Sequence, residues 1–164
     1  SRFFRGEVDR YTWVDVGSSY LPGEMVAAFL YGQLEQAQAI TEGRLALWRR
    51  YDEAIRAAAV GAGIGVPAIP ADCGHNGHIY HLTFPSLRDR SAFLTFMKER
   101  GIMTPFHYVP LHSAPAGRRF GRQVGDMQVT EAVSDGLVRL PLHRMDPATQ
   151  DRVIACVLDC LGTR

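Results

Sequence analysis

From Met25 to about Ala59 the chain contains no proline, and Val26, Leu30, Leu34, Ala37, Leu45, Trp48 and Ile55 recur at the 3.6-residue period of an α-helix. One long helix is expected there, with Thr41 and Asp52 interrupting its apolar stripe. Pro22 suits its first turn, where a missing N–H costs nothing. Gly61, Gly63 and Gly65 end it, and Pro67 and Pro70 forbid its continuation. A boundary therefore falls near Gly61.

With 164 residues, of which 46% are hydrophobic, the chain is long enough to bury a core without disulfide or metal staples. Eighteen basic side chains against seventeen acidic leave a formal charge of +1, and no segment gathers Lys and Arg as a nucleic-acid or anionic-membrane surface requires. Two small clusters remain, Arg2, Arg5 and Arg10, then Arg118, Arg119 and Arg122, each sized for one phosphate-like anion or for plain solvated surface. Cys73, Cys156 and Cys160 are odd in number and form no CxxC, which fits a reducing compartment, the cytoplasm. The longest apolar runs fall well short of the roughly 20 residues of a membrane span, so no membrane association is expected.

Beyond the boundary, HIYHLTF (His78 to Phe84) reads as a strand between Gly77 and Pro85. Asp89 is the expected cap of a helix to about Arg100 that buries Phe93, Phe96 and Met97, with Gly101 at the left-handed position after it. IMTPFHYV reads as a proline-interrupted extended segment, AGRRFG as a short helical turn and QVGDMQ as a loop. Thr130 is the expected cap of a brief helix to Leu137, and LVRLPLH supplies another strand. Asp146 as cap, Pro147 at the first helical position and Val153, Ile154, Val157, Leu158 and Leu161 on one face define a terminal helix closed by Gly162. The order is that of a small α/β layer behind a long helix.

Several motifs bear on chemistry. GAGIG follows a helix, whereas a dinucleotide loop lies between strand and helix, so its glycines are read as a helix terminator. His75, His78 and His81 are spaced by three, but strand geometry puts His78 and His81 on opposite faces, against a zinc site and a metal-dependent hydrolase. Cys156 and Cys160, one turn apart, suit an apolar, half-buried role. HYVPLH (His107 to His112) places two imidazoles and a phenol where an extended segment enters a loop; either histidine suits general-base work or a structural hydrogen bond. SSYLP, before the long helix, offers an anion site or an N-cap. The sole lysine, Lys98, sits in KERG at the end of an exposed helix face, without the desolvation or cationic neighbours that activate a Schiff-base lysine.

Taken in order, YTWVDVGSSYLPGEMVAAFLYGQLE, RLALWRRYDEAI, GHIYHLTF, RSAFLTFMKERGIMTPFHYVPLHSAPAGRRFG and LVRLPLH resemble the C-terminal half of the DegT/DnrJ/EryC1/StrS sugar-nucleotide aminotransferases. The resemblance implies the small C-terminal α/β domain of a pyridoxal-phosphate-dependent fold type I enzyme, with a long connecting helix and a small mixed sheet flanked by helices. Residues 1–21 would then be the end of the large domain and an interface loop, 22–60 the connecting helix and 61–164 the small domain. It further implies a homodimer with active sites at the interface, which moves an amino group from glutamate to a 4-keto-6-deoxy nucleotide sugar. Pyridoxal phosphate would be the electron sink and a lysine upstream of Ser1 the Schiff-base partner. The isolated piece would be inactive.

Residue by residue, the resemblance assigns His107, Tyr108 and His112 to the sugar nucleotide. Many relatives carry GYNYR before the long helix, with its asparagine on the cofactor phosphate of the partner subunit. Here Gly17, Ser18, Ser19, Tyr20 and Leu21 stand in those places. Ser19 takes the asparagine position and keeps a hydrogen-bond donor, and Leu21 replaces the arginine. Arg5 is the candidate for the diphosphate, because a guanidinium offers paired donors. The rival reading is a noncatalytic binding or assembly module that keeps a dimer surface along the long helix.

Overall fold

A computed structural model of the protein describes residues 20–162, and the chain divides into two compact units, Ser1–Gln36 and Ala37–Arg164. In the first unit, α1 (Glu24–Leu34) starts at Gly23 with Glu24 in its first turn, where a carboxylate complements the helix dipole. None of its residues is buried.

The second unit begins with α2 (Ala37–Gly61), so the single helix expected over 25–59 is two. Glu35 and Gln36 form a turn, the Glu35 N–H bonding the Tyr31 carbonyl at 3.1 Å and the Gln36 N–H reaching only to Gln33 at 3.2 Å. Neither residue is a helix breaker, and the apolar period runs through them. The difference lies in packing: α1 buries nothing that would hold a continuous rod, and Gly32 costs its last turn about 1 kcal/mol relative to alanine.

Along α2, Trp48, Tyr51, Ile55 and Ala59 are buried at spacings of one turn. Polar tips on this stripe find carbonyls: Trp48 Nε1 donates to Ile79 at 3.1 Å and the Tyr51 hydroxyl to Pro141 at 2.8 Å. Asp52, which interrupts the stripe in sequence, accepts two bonds from Arg56 at 2.9 and 2.7 Å and one from the Tyr80 hydroxyl at 3.2 Å. Burial, reinforced by Asp52, pushes the Tyr80 phenol well above its ordinary value.

Gly63 adopts a positive φ of 72° after α2, and Gly65 then exchanges two 2.9 Å bonds with Thr83, which bears out the terminator reading of GAGIG. The sheet consists of β1 (Tyr80–Thr83) and β2 (Leu137–Leu140), the latter preceded directly by α5 (Gln128–Gly136). Tyr80 lies opposite Leu140 and His81 opposite Arg139. Single bridges add Gly65 beside Thr83 and Phe106 beside Val138. Among the described residues every pairing is antiparallel, in place of the mixed sheet expected. Alternation sends Tyr80, Leu82, Val138 and Leu140 into the core and leaves His81 and Arg139 on the opposite face.

The core face is covered by α2, by α3 (Leu87–Glu99) and by α6 (Pro147–Gly162), which contribute Phe93, Met97, Val153, Val157 and Leu161 among others. Phe96, expected inside α3, is only half-buried, with the Arg100 guanidinium over its ring. Ser86, not Asp89, caps α3: its hydroxyl accepts the Asp89 N–H at 3.1 Å and donates to the Asp89 carboxylate at 2.7 Å. Thr130 likewise falls inside α5, which starts earlier, after Gly125 turns the chain with φ 73°. Asp146 does cap α6, accepting the Thr149 N–H at 2.9 Å and its hydroxyl at 2.7 Å, and these bonds hold its carboxyl below the usual range. Cys160 is buried and Cys156 packs against the same core, in keeping with their spacing. Among the described residues no helix is long and apolar enough to cross a membrane.

Candidate functional site

HYVPLH leaves the sheet edge immediately after the Phe106 bridge. Pro105 has no N–H to give, but its carbonyl accepts the Arg139 N–H at 2.9 Å and so anchors the segment to β2. The Ser134 hydroxyl of α5 donates to the Tyr108 carbonyl at 3.0 Å. Beyond Pro110 a turn leads into α4 (Pro115–Phe120).

The three sequence-predicted residues in this segment have different surroundings. His107 is half-buried with its ring edge-on to Tyr108 at 5.0 Å, and its Nδ1 is buried without a hydrogen-bond partner. Tyr108 is 79% exposed. His112 is largely buried, and its Nε2 lies 3.2 Å from the Glu131 carboxylate of α5. An ionised carboxylate only accepts, so Nε2 carries the proton in that contact and the ring is held in one orientation. Ser19 and Arg5 lie outside the described residues.

Two clefts flank the segment. One, of about 490 Å³, takes in Phe106 just before the segment, Val109 and Pro110 from it, Arg90 from α3, and Glu131 and Asp135 from α5. Arg90 donates to the Ser134 carbonyl at 3.1 Å, and its guanidinium carbon lies 5.5 Å from the centre of the Phe106 ring. The other, of about 440 Å³, is lined by Leu111, His112, Arg118, Arg122 and Gln123 together with two glycines. His112 thus borders one cleft and its partner Glu131 the other. His107 and Tyr108 line neither. Arg90, Glu131 and Asp135 are not legible as site residues in the sequence, because only the packing of α3 and α5 beside the segment brings them there.

On the other face of β1, burial and then the nearby His107 ring hold His81 below its ordinary value. The unfolded chain therefore binds a proton at higher pH than the folded chain does. Stability should be complete above about pH 6.5 and fall as the pH drops from there toward the depressed folded value. Thermal melts from neutral to mildly acid pH should show this slope for the wild type and a flatter one for His81→Gln. His75, by contrast, packs edge-on against Trp48 at 4.6 Å. Among the described residues no group of three His, Cys, Asp or Glu side chains is placed to hold a metal ion.

The profile of the DegT/DnrJ/EryC1/StrS aminotransferase family matches residues 3–158. The chain belongs to this family. It is 28% identical over 151 residues to the uncharacterized protein MJ1066 of Methanocaldococcus jannaschii, covering 90% of this chain and 38% of that one. Among solved structures it is similar to S. venezuelae DesV in complex with a ketimine intermediate, at 26% identity and a TM-score of 0.75, over 84% of this chain and 36% of that chain. It is also similar to a DegT/DnrJ/EryC1/StrS aminotransferase from Brucella abortus, at 25% identity and a TM-score of 0.72, over 83% and 35% of the two chains. The chain thus spans little more than a third of the length of these relatives.

Among the described residues of this DegT/DnrJ/EryC1/StrS chain, neither cleft carries a lysine. A Schiff base needs a lysine, and Lys98 lies exposed in the last turn of α3, on neither cleft. The polar side chains beside the segment are those of His112, of Arg90 in α3, of Arg118 in α4 and of Glu131 and Asp135 in α5.

Proposed function

We propose that the chain is the C-terminal portion of a pyridoxal-phosphate-dependent aminotransferase that passes an amino group from glutamate to a 4-keto-6-deoxy dTDP-sugar, the reaction type of a dTDP-4-amino-4,6-dideoxygalactose transaminase. The match of the family profile to residues 3–158 carries this reading. The ketimine bound to the similar DesV agrees with amino transfer. In the complete enzyme, a cytoplasmic homodimer, His107, Tyr108 and His112 face the sugar nucleotide and position it. Ser19 reaches the cofactor phosphate of the partner subunit, and Arg5 takes the diphosphate of the sugar nucleotide. The lysine and the groups around the pyridine ring come from outside these 164 residues. The product is an amino sugar for a surface polysaccharide, a lipid-linked oligosaccharide or an antibiotic.

Sequencing the coding DNA upstream of the Ser1 codon and weighing the intact expressed polypeptide tests this reading. An open frame that carries a large α/β domain with a lysine is expected. A start codon adjacent to Ser1 would overturn it.

A second reading, a noncatalytic module that self-associates, is favoured by α1. Its Met25, Phe29 and Leu34 are 85%, 73% and 61% exposed. Sedimentation at rising concentration separates the two: a clean monomer throughout removes the assembly module.

A further inference from the structure

The α5 helix holds HYVPLH near both of its ends. Glu131 and Ser134 stand three positions apart, on one face of the helix. The Ser134 hydroxyl donates to the Tyr108 carbonyl at 3.0 Å, and the Glu131 carboxylate accepts from His112 Nε2 at 3.2 Å. Between these points the turn closes on itself, the Ala114 N–H and the Ser113 hydroxyl both donating to the Pro110 carbonyl, at 3.2 and 3.1 Å. Arg90 ties α5 in turn to α3 through the Ser134 carbonyl, at 3.1 Å. One braced helix therefore fixes a backbone group at one end of the segment and a ring at the other.

The two histidines of the segment differ accordingly. His107 Nδ1 is buried without a partner, and no side chain among the described residues hydrogen-bonds to its ring. The His112 side chain is only 15% exposed and has a carboxylate on Nε2. In the neutral ring that bond leaves Nδ1 with a lone pair and no hydrogen. Nδ1 lies on the other side of the ring and has no hydrogen-bond partner among the described residues, yet unlike His107 Nδ1 it is open to solvent. The polar atom that His112 has free for the cleft beside α4 is thus an acceptor.

We propose that Glu131 is a positioning residue that acts through His112: by accepting the Nε2–H bond it fixes the ring as a hydrogen-bond acceptor, so that Nδ1 receives a hydroxyl of the ligand and gives nothing to a phosphoryl oxygen. The inference rests on the reading of His112 as a substrate contact, and it adds which atom makes that contact and what sets it. An acceptor held in one orientation discriminates. A ligand that brings a hydroxyl to Nδ1 satisfies it, and one without that hydroxyl leaves a desolvated lone pair unpaired.

Long-range proton–nitrogen correlation spectra of the 164-residue chain, recorded above the measured titration of His112, test the ring directly. The wild type should show a protonated Nε2 and a bare Nδ1, with the Nε2 proton protected from exchange. Glu131→Ala should lose that protection, and Glu131→Gln, whose amide oxygen still accepts, should keep part of it. Asp135→Asn, one turn further along α5 and on the same cleft as Glu131, should keep all of it. A ring protonated on both nitrogens, a bare Nε2, or a protected proton that survives Glu131→Ala overturns the proposal.

In the complete aminotransferase, His112→Phe should raise KM for the dTDP-keto sugar about tenfold and Glu131→Ala about threefold, at little cost in kcat. The double variant should be no worse than His112→Phe, the mark of one residue acting through the other. Among monodeoxy forms of that substrate, one should show the same KM with the wild type and with His112→Phe. Additive losses, an unchanged KM in Glu131→Ala, or no such deoxy form overturns the positioning role. The two kinds of readout also fail separately. Amino transfer unaffected by Glu131→Ala, with a His112 spectrum unlike the one described, removes this inference and keeps the enzymatic reading. The described spectrum in a full-length protein that transfers no amino group removes the enzymatic reading and keeps His112 set by Glu131.

Discussion

Incubated with pyridoxal phosphate, glutamate and a dTDP-4-keto-6-deoxy sugar, the 164-residue chain should give no amino sugar above the uncatalysed background. Amino transfer through this cofactor requires an amine that forms and exchanges a Schiff base, and a lysine does so when its surroundings favour the neutral form. Lys98 is the one lysine available, and it lies exposed at the solvent end of α3. It lines neither of the clefts that flank HYVPLH. Product detection by mass spectrometry, with visible absorbance to follow any Schiff base, is the direct check. Turnover that disappears in Lys98→Ala would overturn the assignment of the lysine to another part of the enzyme. A cooperative circular-dichroism melt of the same chain separates an inactive but folded protein from an unfolded one.

How much of the candidate site can be read from sequence depends on which of its groups are neighbours along the chain. HYVPLH is legible because its chemistry is dense in sequence, and the structure places His112 at a cleft with its ring fixed by Glu131. Glu131 itself stands nineteen positions away and has no local signal. It arrives because α5 passes straight into β2 and packs beside the segment that bridges β2 at Phe106. Arg90 is similar: its position in α3 marks it as helix surface until Phe106 and the Ser134 carbonyl are brought against it.

The fold shows the same division between local and nonlocal causes. The α6 helix is readable to its ends, because Asp146, Pro147 and Gly162 act on neighbouring backbone groups. The α3 cap lies three residues before the expected one. Ser86 and Asp89 are both good caps, and here they are the two halves of one reciprocal pair. The break between α1 and α2 has no signal in Glu35 or Gln36. An apolar stripe predicts a helix, but only burial keeps two such stretches continuous, and α1 buries nothing.

Gly136→Ala is expected to destabilise the second unit by about 3 kcal/mol, at the upper end of ordinary overpacking. The residue is buried where α5 becomes β2, and a Cβ there would lie 2.1 Å from the Phe84 carbonyl oxygen and 3.2 Å from the Phe84 nitrogen. Both are backbone atoms of a segment pinned on its other side by core packing, so the clash cannot be relieved by a side-chain rotation. Moving Phe84 away also strains the 2.9 Å bond that its N–H gives to the Gly136 carbonyl. The Phe84 ring, 4.9 Å from that of Phe93, would be dragged with it. For a chain of this size about 3 kcal/mol corresponds to a melting temperature lowered by roughly 6–12 °C. Gly43→Ala provides the opposite case: it lies within α2, and an added methyl group would meet nothing within 4 Å. There the substitution should raise stability by up to about 1 kcal/mol through helix propensity alone. Circular-dichroism melts of the two variants therefore should move in opposite directions. A Gly136→Ala protein that melts with the wild type would mean that the α5–β2 junction is not packed on Phe84, and the placement of Glu131 beside His112 would lose its support.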